Sequence, residues 1–123
     1  GIEYSTILYI CSKEFARIIK DITSIGDIIE ITAQDNQLIF KTTSDEGMVV
    51  SICLDILTNS NISVESFDSV TLKLSSRHML HFVKGCSLAP NVKLSMSNDL
   101  PFRMDFKLEN GSDLNFICSP RED

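Results

Sequence analysis

The chain has 123 residues, 43% of them hydrophobic, with three prolines and a formal net charge of −6. That length and apolar content suit one folded domain with its own core. No apolar run nears the eighteen or so residues that cross a bilayer, and no charged-then-apolar leader opens the chain, so neither a membrane span nor a membrane partner is expected.

The elements read in chain order as a pattern written twice. A strand over Tyr4–Ile10 leads through a polar cap at Ser12 into a helical period, with Gly26 the candidate C-cap. Strands follow at Ile28–Ala33, Gln37–Thr42 and Met48–Leu54, separated by the turn residues Asp35-Asn36 and Ser44-Asp45-Glu46-Gly47. A polar connector, residues 55–68, holds a weak strand signal at Ser63–Ser66. The second copy then repeats the order: a strand at Val70–Leu74, a cap at Ser76, a helix, and strands at Asn91–Ser97, Phe102–Leu108 and Asp113–Cys118. Asn110-Gly111 is a strong hairpin signal, and Pro101 should begin a strand or sit at an edge because it lacks an N–H. Shifted by 64 positions, "STILYICSKEFARIIKDI" falls on "SVTLKLSSRHMLHFVKGC"; shifted by 63, "IEITAQDN" falls on "VKLSMSND". The expected architecture is therefore α+β, one domain spanning 1–123 built from two β-α-β-β-β units at about 4–54 and 69–118, with two helices packed on antiparallel sheet.

Each helix carries a basic stripe. At 100° per residue, with Lys13 at zero, Arg17 falls at about 40° and Lys20 at about −20°, while Phe15, Ile18, Ile19, Ile22 and Ile25 lie opposite. Arg77, His81 and Lys84 repeat the stripe on the second helix, opposite Met79, Phe82 and Val83. The two helices hold five of the eleven Lys and Arg residues and only two acids, Glu14 and Asp21. A paired basic stripe on an acidic chain suits a polyanion held by its backbone, and the absence of aromatics among these charges argues against base stacking.

Nothing points to catalysis. There is no nucleophile elbow and no phosphate-binding glycine loop. His78 and His81 have no neighbouring carboxylate motif for a metal, and Asp45-Glu46 reads as a solvated turn. The cysteines Cys11, Cys53, Cys86 and Cys118 form no C-x-x-C pair; they read as small buried hydrophobes of a reducing compartment, without zinc or a disulfide framework. The triplets Asn61-Ile62-Ser63 and Asn110-Gly111-Ser112 match the glycosylation pattern, but nothing else suggests secretion.

The motifs "EFARIIKDITSIGD", "VKLSMSNDLPFRMDF" and "FICSP" resemble the C-terminal half of the proliferating cell nuclear antigen family, the eukaryotic DNA sliding clamps, and the resemblance runs from Tyr4 to Pro120. It implies a DNA-clamp fold and a non-catalytic, cofactor-free processivity factor for DNA polymerase in the nucleus. It also implies a two-domain protomer, of which this would be the C-terminal half with Gly1 foreign to it, and a homotrimeric ring around double-stranded DNA. A clamp loader, polymerases and other replication and repair proteins are the implied partners. Lys20, Arg77 and Lys84 match family positions that face DNA, to which stripe geometry adds Lys13, Arg17 and His81. The subunit boundary maps to Ile22, Ile25, Met48, Val49, Val50, Ser51 and Ile52. A peptide-docking pocket draws on Pro101, Ile117, Ser119 and Pro120; Ile117 in place of an aromatic, Ser119 in place of alanine and Glu122 in place of an aliphatic residue make it smaller and more polar. The neighbouring readings of the same resemblance are a checkpoint-type heterotrimeric clamp subunit and a monomeric viral processivity factor.

Overall fold

The computed structural model describes residues 3–122; Gly1, read above as foreign to the domain, lies outside them. The first copy comprises β1 (Thr6–Cys11), α1 (Ser12–Thr23), β2 (Ile28–Gln34), β3 (Gln37–Thr43) and β4 (Val49–Asp55). After β5 (Ile62–Ser66) come β6 (Val70–Ser75), α2 (Ser76–Phe82), a 3-10 turn over Val83–Ser87, β7 (Asn91–Met96), β8 (Phe102–Lys107) and β9 (Asp113–Cys118). Among the described residues the strands form two antiparallel sheets, ordered β5-β1-β7-β8-β9 and β4-β3-β2-β6.

Neither sheet contains a single copy. The first strand of each unit has crossed into the sheet of the other, so that β1 pairs with β7 and β6 with β2. The ladders obey the sequence offset. Adding 64 to each β1 residue and subtracting 63 from its β7 partner turns every β1–β7 pair into a β6–β2 pair, as Leu8–Leu94 becomes Leu72–Ile31. Likewise Leu38–Leu54 in the β3–β4 ladder becomes Phe102–Cys118 in β8–β9.

Period-two alternation gives each strand one apolar face. Leu8, Ile10, Leu94, Met104 and Phe106 from one sheet, and Ile29, Ile31, Leu38, Phe40 and Leu74 from the other, enter one core that Phe15, Ile18, Ile19, Ile22 and Met79 complete. Phe15 meets Phe40 edge-on at 6.1 Å between centroids. Each fully buried side chain of this size stabilises the fold by about 1.5–3 kcal/mol.

Several boundaries differ from the sequence reading. Tyr4 and Ser5 precede β1, because the Ser5 N–H is taken by the Ser97 Oγ at 2.7 Å and not by a ladder partner. Both helices begin one residue early. Ser12 and Ser76 are first helical residues, and Ser75 is the cap whose hydroxyl accepts from the His78 N–H at 3.4 Å. The Ser76 hydroxyl instead donates to the Gly26 carbonyl at 2.5 Å. The connector 55–68 carries β5, which extends a sheet by pairing with β1. Its loop is tied to α1 by Asn59 and Asn61, whose amides donate to the Glu14 carboxylate at 3.2 and 2.5 Å. The turn glycines Gly47 and Gly111 adopt φ of 88° and 87°. Cys53 is exposed and Cys11 half-buried, so only Cys86 and Cys118 are buried as the sequence reading expected of all four. The outward face of edge strand β4 explains Cys53.

Gly26 is not a left-handed cap: α1 ends at Thr23, and the residue that caps it, Ser24, is right-handed. Its role is close approach, since a Cβ there would collide with the Thr42 hydroxyl and lie 2.5 Å from the Thr43 carbonyl oxygen. Gly26→Ala should therefore destabilise the domain by about 1–3 kcal/mol, read as a lower urea midpoint at unchanged m. An unchanged midpoint would show that β3 yields freely.

Candidate nucleic-acid interface

α1 and α2 lie side by side because each leaves one sheet and returns to the other. Their apolar faces are spent on the core: Phe15, Ile18, Ile19, Ile22 and Met79 are fully buried. The opposite faces are exposed, with Lys13, Arg17, Lys20, Arg77, His81 and Lys84 all on the surface.

Between the helices runs a groove of about 1320 Å³. Lys13, Arg17 and Lys20 edge it from α1, and Lys84 from the 3-10 turn that continues α2. Arg77 and His81 are exposed but do not line it; they stand farther round α2, so the six stripe residues make one groove with four cations and an outlying pair. Only two acids border the groove, Asp21 and Glu109. Asp21 lies 3.9 Å from the Arg17 guanidinium, in an i,i+4 pair exposed on both sides and therefore weak. Among the described residues Lys13, Lys20 and Lys84 have no ion-pair partner, which leaves their charges to face solvent.

Lys84 depends on a neighbouring glycine. α2 stops at Phe82 and tightens into a 3-10 turn, and Gly85 is set so close to Phe106 that a Cβ would lie 2.7 Å from the ring. The sequence reading missed the floor of the groove, where Leu80 and Leu88 are exposed among the lysines. Leu80 falls about 60° from Arg77 on the wheel, on the α1 side, which the stripe alone does not reveal.

The boundary residues divide. β4 is an edge strand without a partner on its outer side among the described residues. Met48 and Val49 are each 57% exposed, Ser51 is exposed, and Val50 and Ile52 are half-buried. Ile25 is half-buried next to Gly26, which touches Thr42 and Thr43, the partners of Val50 and Val49. Ile22 is different: it is fully buried in the core of this chain and presents no surface to a neighbouring subunit. It follows Ile18 and Ile19 on the inward face of α1.

At one end of the five-stranded sheet, Phe102 pairs with Cys118 and Arg103 with Ile117, so Pro101 and Ser119 emerge side by side. Ile117 is 58% exposed, Pro101 and Ser119 are exposed and Pro120 is half-buried. Arg121 then donates its N–H to the Lys73 carbonyl at 2.7 Å, which fixes the path of Pro120. Tyr4, absent from the sequence reading of this patch, donates its hydroxyl to the Pro101 carbonyl at 2.9 Å.

Among the described residues no three His, Cys, Asp or Glu side chains converge as metal ligands would, and no helix is long and apolar enough to cross a membrane. His78 rests on Phe82 and places Nδ1 3.6 Å from the Cys118 Sγ. Burial lifts the Cys86 thiol from 9.0 to about 11 against the pull of Lys20, and burial also raises Cys118. A thiol pKa raised by folding adds stability that is whole below pH 9 and is lost as pH rises toward 11. At mildly alkaline pH, iodoacetamide should therefore label Cys53 first and spare Cys86 until the domain unfolds, as read by peptide mass spectrometry. Equal native rates at the two positions would contradict a sealed Cys86.

Two comparisons bear on this geometry. Residues 1–121 match the family model described as "Proliferating cell nuclear antigen, C-terminal domain". The fold superposes on the crystal structure of proliferating cellular nuclear antigen from Entamoeba histolytica with a TM-score of 0.87 and 29% sequence identity, over 98% of this chain. The match covers 47% of that protein's chain, so this chain spans about half its length. The chain belongs to the proliferating cell nuclear antigen family and carries its C-terminal clamp domain.

Proposed function

We propose that this domain is the C-terminal half of a two-domain DNA sliding clamp, which closes as a homotrimeric ring around duplex DNA and serves as a processivity factor in replication and repair. The observation that carries the reading is the groove between α1 and α2. In a chain of net charge −6, four cations converge on one helical face, and three of them have no ion-pair partner among the described residues. The side chains supply phosphate attraction without base reading, so binding is non-specific and salt-sensitive, with log affinity falling at about −0.9 per phosphate contact. Lys13, Arg17, Lys20 and Lys84 make the inner track, and Arg77 and His81 extend it around α2.

The other roles follow the surfaces described. The unpaired outer edge of β4, over Met48–Ile52 with Ile25 beside it, is the subunit boundary, since an open strand edge is a template for pairing. The mixed patch of Pro101, Ile117, Ser119 and Pro120, joined by Tyr4, receives peptide segments of polymerases and other replication and repair proteins. Opening and loading of a closed ring requires a clamp loader. The domain itself holds DNA without catalysis or cofactor, and its place of work is the nucleus.

In the full-length protein, Lys20→Glu with Lys84→Glu should leave the circular dichroism spectrum unchanged and reduce stimulation of primer extension by at least about tenfold at physiological salt, as charge reversal at two phosphate contacts implies. Full stimulation by the double variant would overturn the assignment of this face to DNA. Light scattering that gives a monomer, or assembly only with unlike partners, would overturn the homotrimer.

A further inference from the structure

The mixed patch at the end of the five-stranded sheet contains the chain's one Ser-Pro pair. Of the three prolines, Pro90 follows Ala89, Pro101 follows Leu100 and Pro120 follows Ser119, so no threonine precedes a proline. Ser119 is exposed just past β9, and among the described residues its hydroxyl has no hydrogen-bond partner. The residues on either side are engaged: Cys118 pairs with Phe102, and the Arg121 N–H donates to the Lys73 carbonyl at 2.7 Å. Between them Ser119 and Pro120 belong to no ladder, and a proline keeps the residue before it extended. The segment thus presents an exposed hydroxyl on extended backbone, the form in which protein kinases take their substrates.

We propose that Ser119 is a phosphorylation site for a proline-directed serine/threonine kinase, and that its phosphate closes the patch to peptide partners. Selection of Ser119 follows from Pro120. A kinase site that offers no acceptor to the next backbone N–H leaves that group unsatisfied in any other residue, whereas proline has none to satisfy. In the transfer, Ser119 Oγ bonds to the γ-phosphorus of ATP as the bond from that phosphorus to the bridging oxygen breaks. The hydroxyl proton passes to the kinase's catalytic aspartate, and ADP leaves. The patch then carries a charge of about −1.5 to −2 at pH 7. Strand alternation puts Ser119 on the outward face with Ile117, beside Pro101, so the phosphate stands where apolar and aromatic anchors must lose water. Arg103, the cross-strand partner of Ile117, is already held by Asp105 at 2.9 Å. The inference rests on the peptide-docking reading above and deepens it by giving that site its regulation.

The test uses the full-length protein, ATP and a purified proline-directed kinase, with a synthetic peptide of residues 115–123 as the control substrate. Phosphopeptide mass spectrometry should place phosphate on Ser119 and find none there in Ser119→Ala. Fluorescence anisotropy with a labelled peptide bearing an aliphatic and an aromatic anchor should then show binding at least about tenfold weaker after phosphorylation. Ser119→Ala should bind equally before and after kinase treatment, and Ser119→Glu, with its single charge, should fall between. Circular dichroism establishes that each protein is folded. A kinase that modifies the control peptide but not the protein overturns the proposal, because the folded segment is then closed to it. If the unmodified protein does not bind the labelled peptide, the docking reading fails and this inference with it. If binding is present and survives phosphorylation of Ser119 unchanged, only this inference fails.

Discussion

The exchange of first strands between the two copies is the constraint on which the rest of the molecule depends. β1 lies in the five-stranded sheet and β2 in the four-stranded one, so α1 must cross from one sheet to the other. α2 makes the reverse crossing, from β6 in the four-stranded sheet to β7 in the five-stranded one. Two helices that cross the same gap in opposite directions are brought together, and α1 does pack against α2 and the 3-10 turn. Their buried faces seal both sheets, and their exposed faces share one surface. A shared basic face thus follows from topology once each helix carries a basic stripe. No loop or long side chain has to reach across to assemble it.

The duplication has diverged where the copies meet different surroundings. At offset 64, Glu14 and His78 occupy the same position on their helices, yet Glu14 is held by Asn59 and Asn61 while His78 leans on Phe82 near Cys118. Ile18 is sealed in the core, whereas its counterpart Phe82 is half-buried and stacks on Phe116 at 4.8 Å. α1 runs for twelve residues; α2 stops after seven and tightens, with Gly85 against Phe106. The second helix therefore delivers Lys84 from a tighter turn, and the groove has a long basic side and a short one.

These particulars show what was legible in the sequence. The repeat offset, the period-two strands and the opposed helix faces are local patterns, and they placed nearly every element and the basic stripes. The strand exchange was not legible, because an alternating strand packs equally well in either sheet and its partner is chosen by long-range geometry. β5 was faint because its Ser63 and Ser66 weaken the β signal in a segment that pairs only with β1. Ile22 shows the same limit from the other side. Helical spacing puts it on the apolar face, but only packing decides that this face is filled by its own core, leaving nothing for a neighbour. Gly26 and Gly85 look like cap or loop glycines until a ring or a carbonyl is found where a Cβ would stand.

An overall charge of −6 does not weaken the case for a polyanion at the helical face. Charges separated by more than about 8 Å in physiological salt are largely screened, so the potential felt in the groove is set by the residues that line it. There the count is four cations against two acids, and one of the acids is occupied by Arg17. The apolar floor adds to this, since low-dielectric walls focus the field of charges at their rim. Acidic groups elsewhere then serve the opposite purpose, because a polyanion approaching the strands and turns meets like charge. The same arithmetic caps the strength of the hold. A few solvated lysines, none fixed in a bidentate pair, attract a backbone and release it easily. In the proposed ring such weak attraction is sufficient, since closure around the duplex retains it and the contacts need only guide its passage.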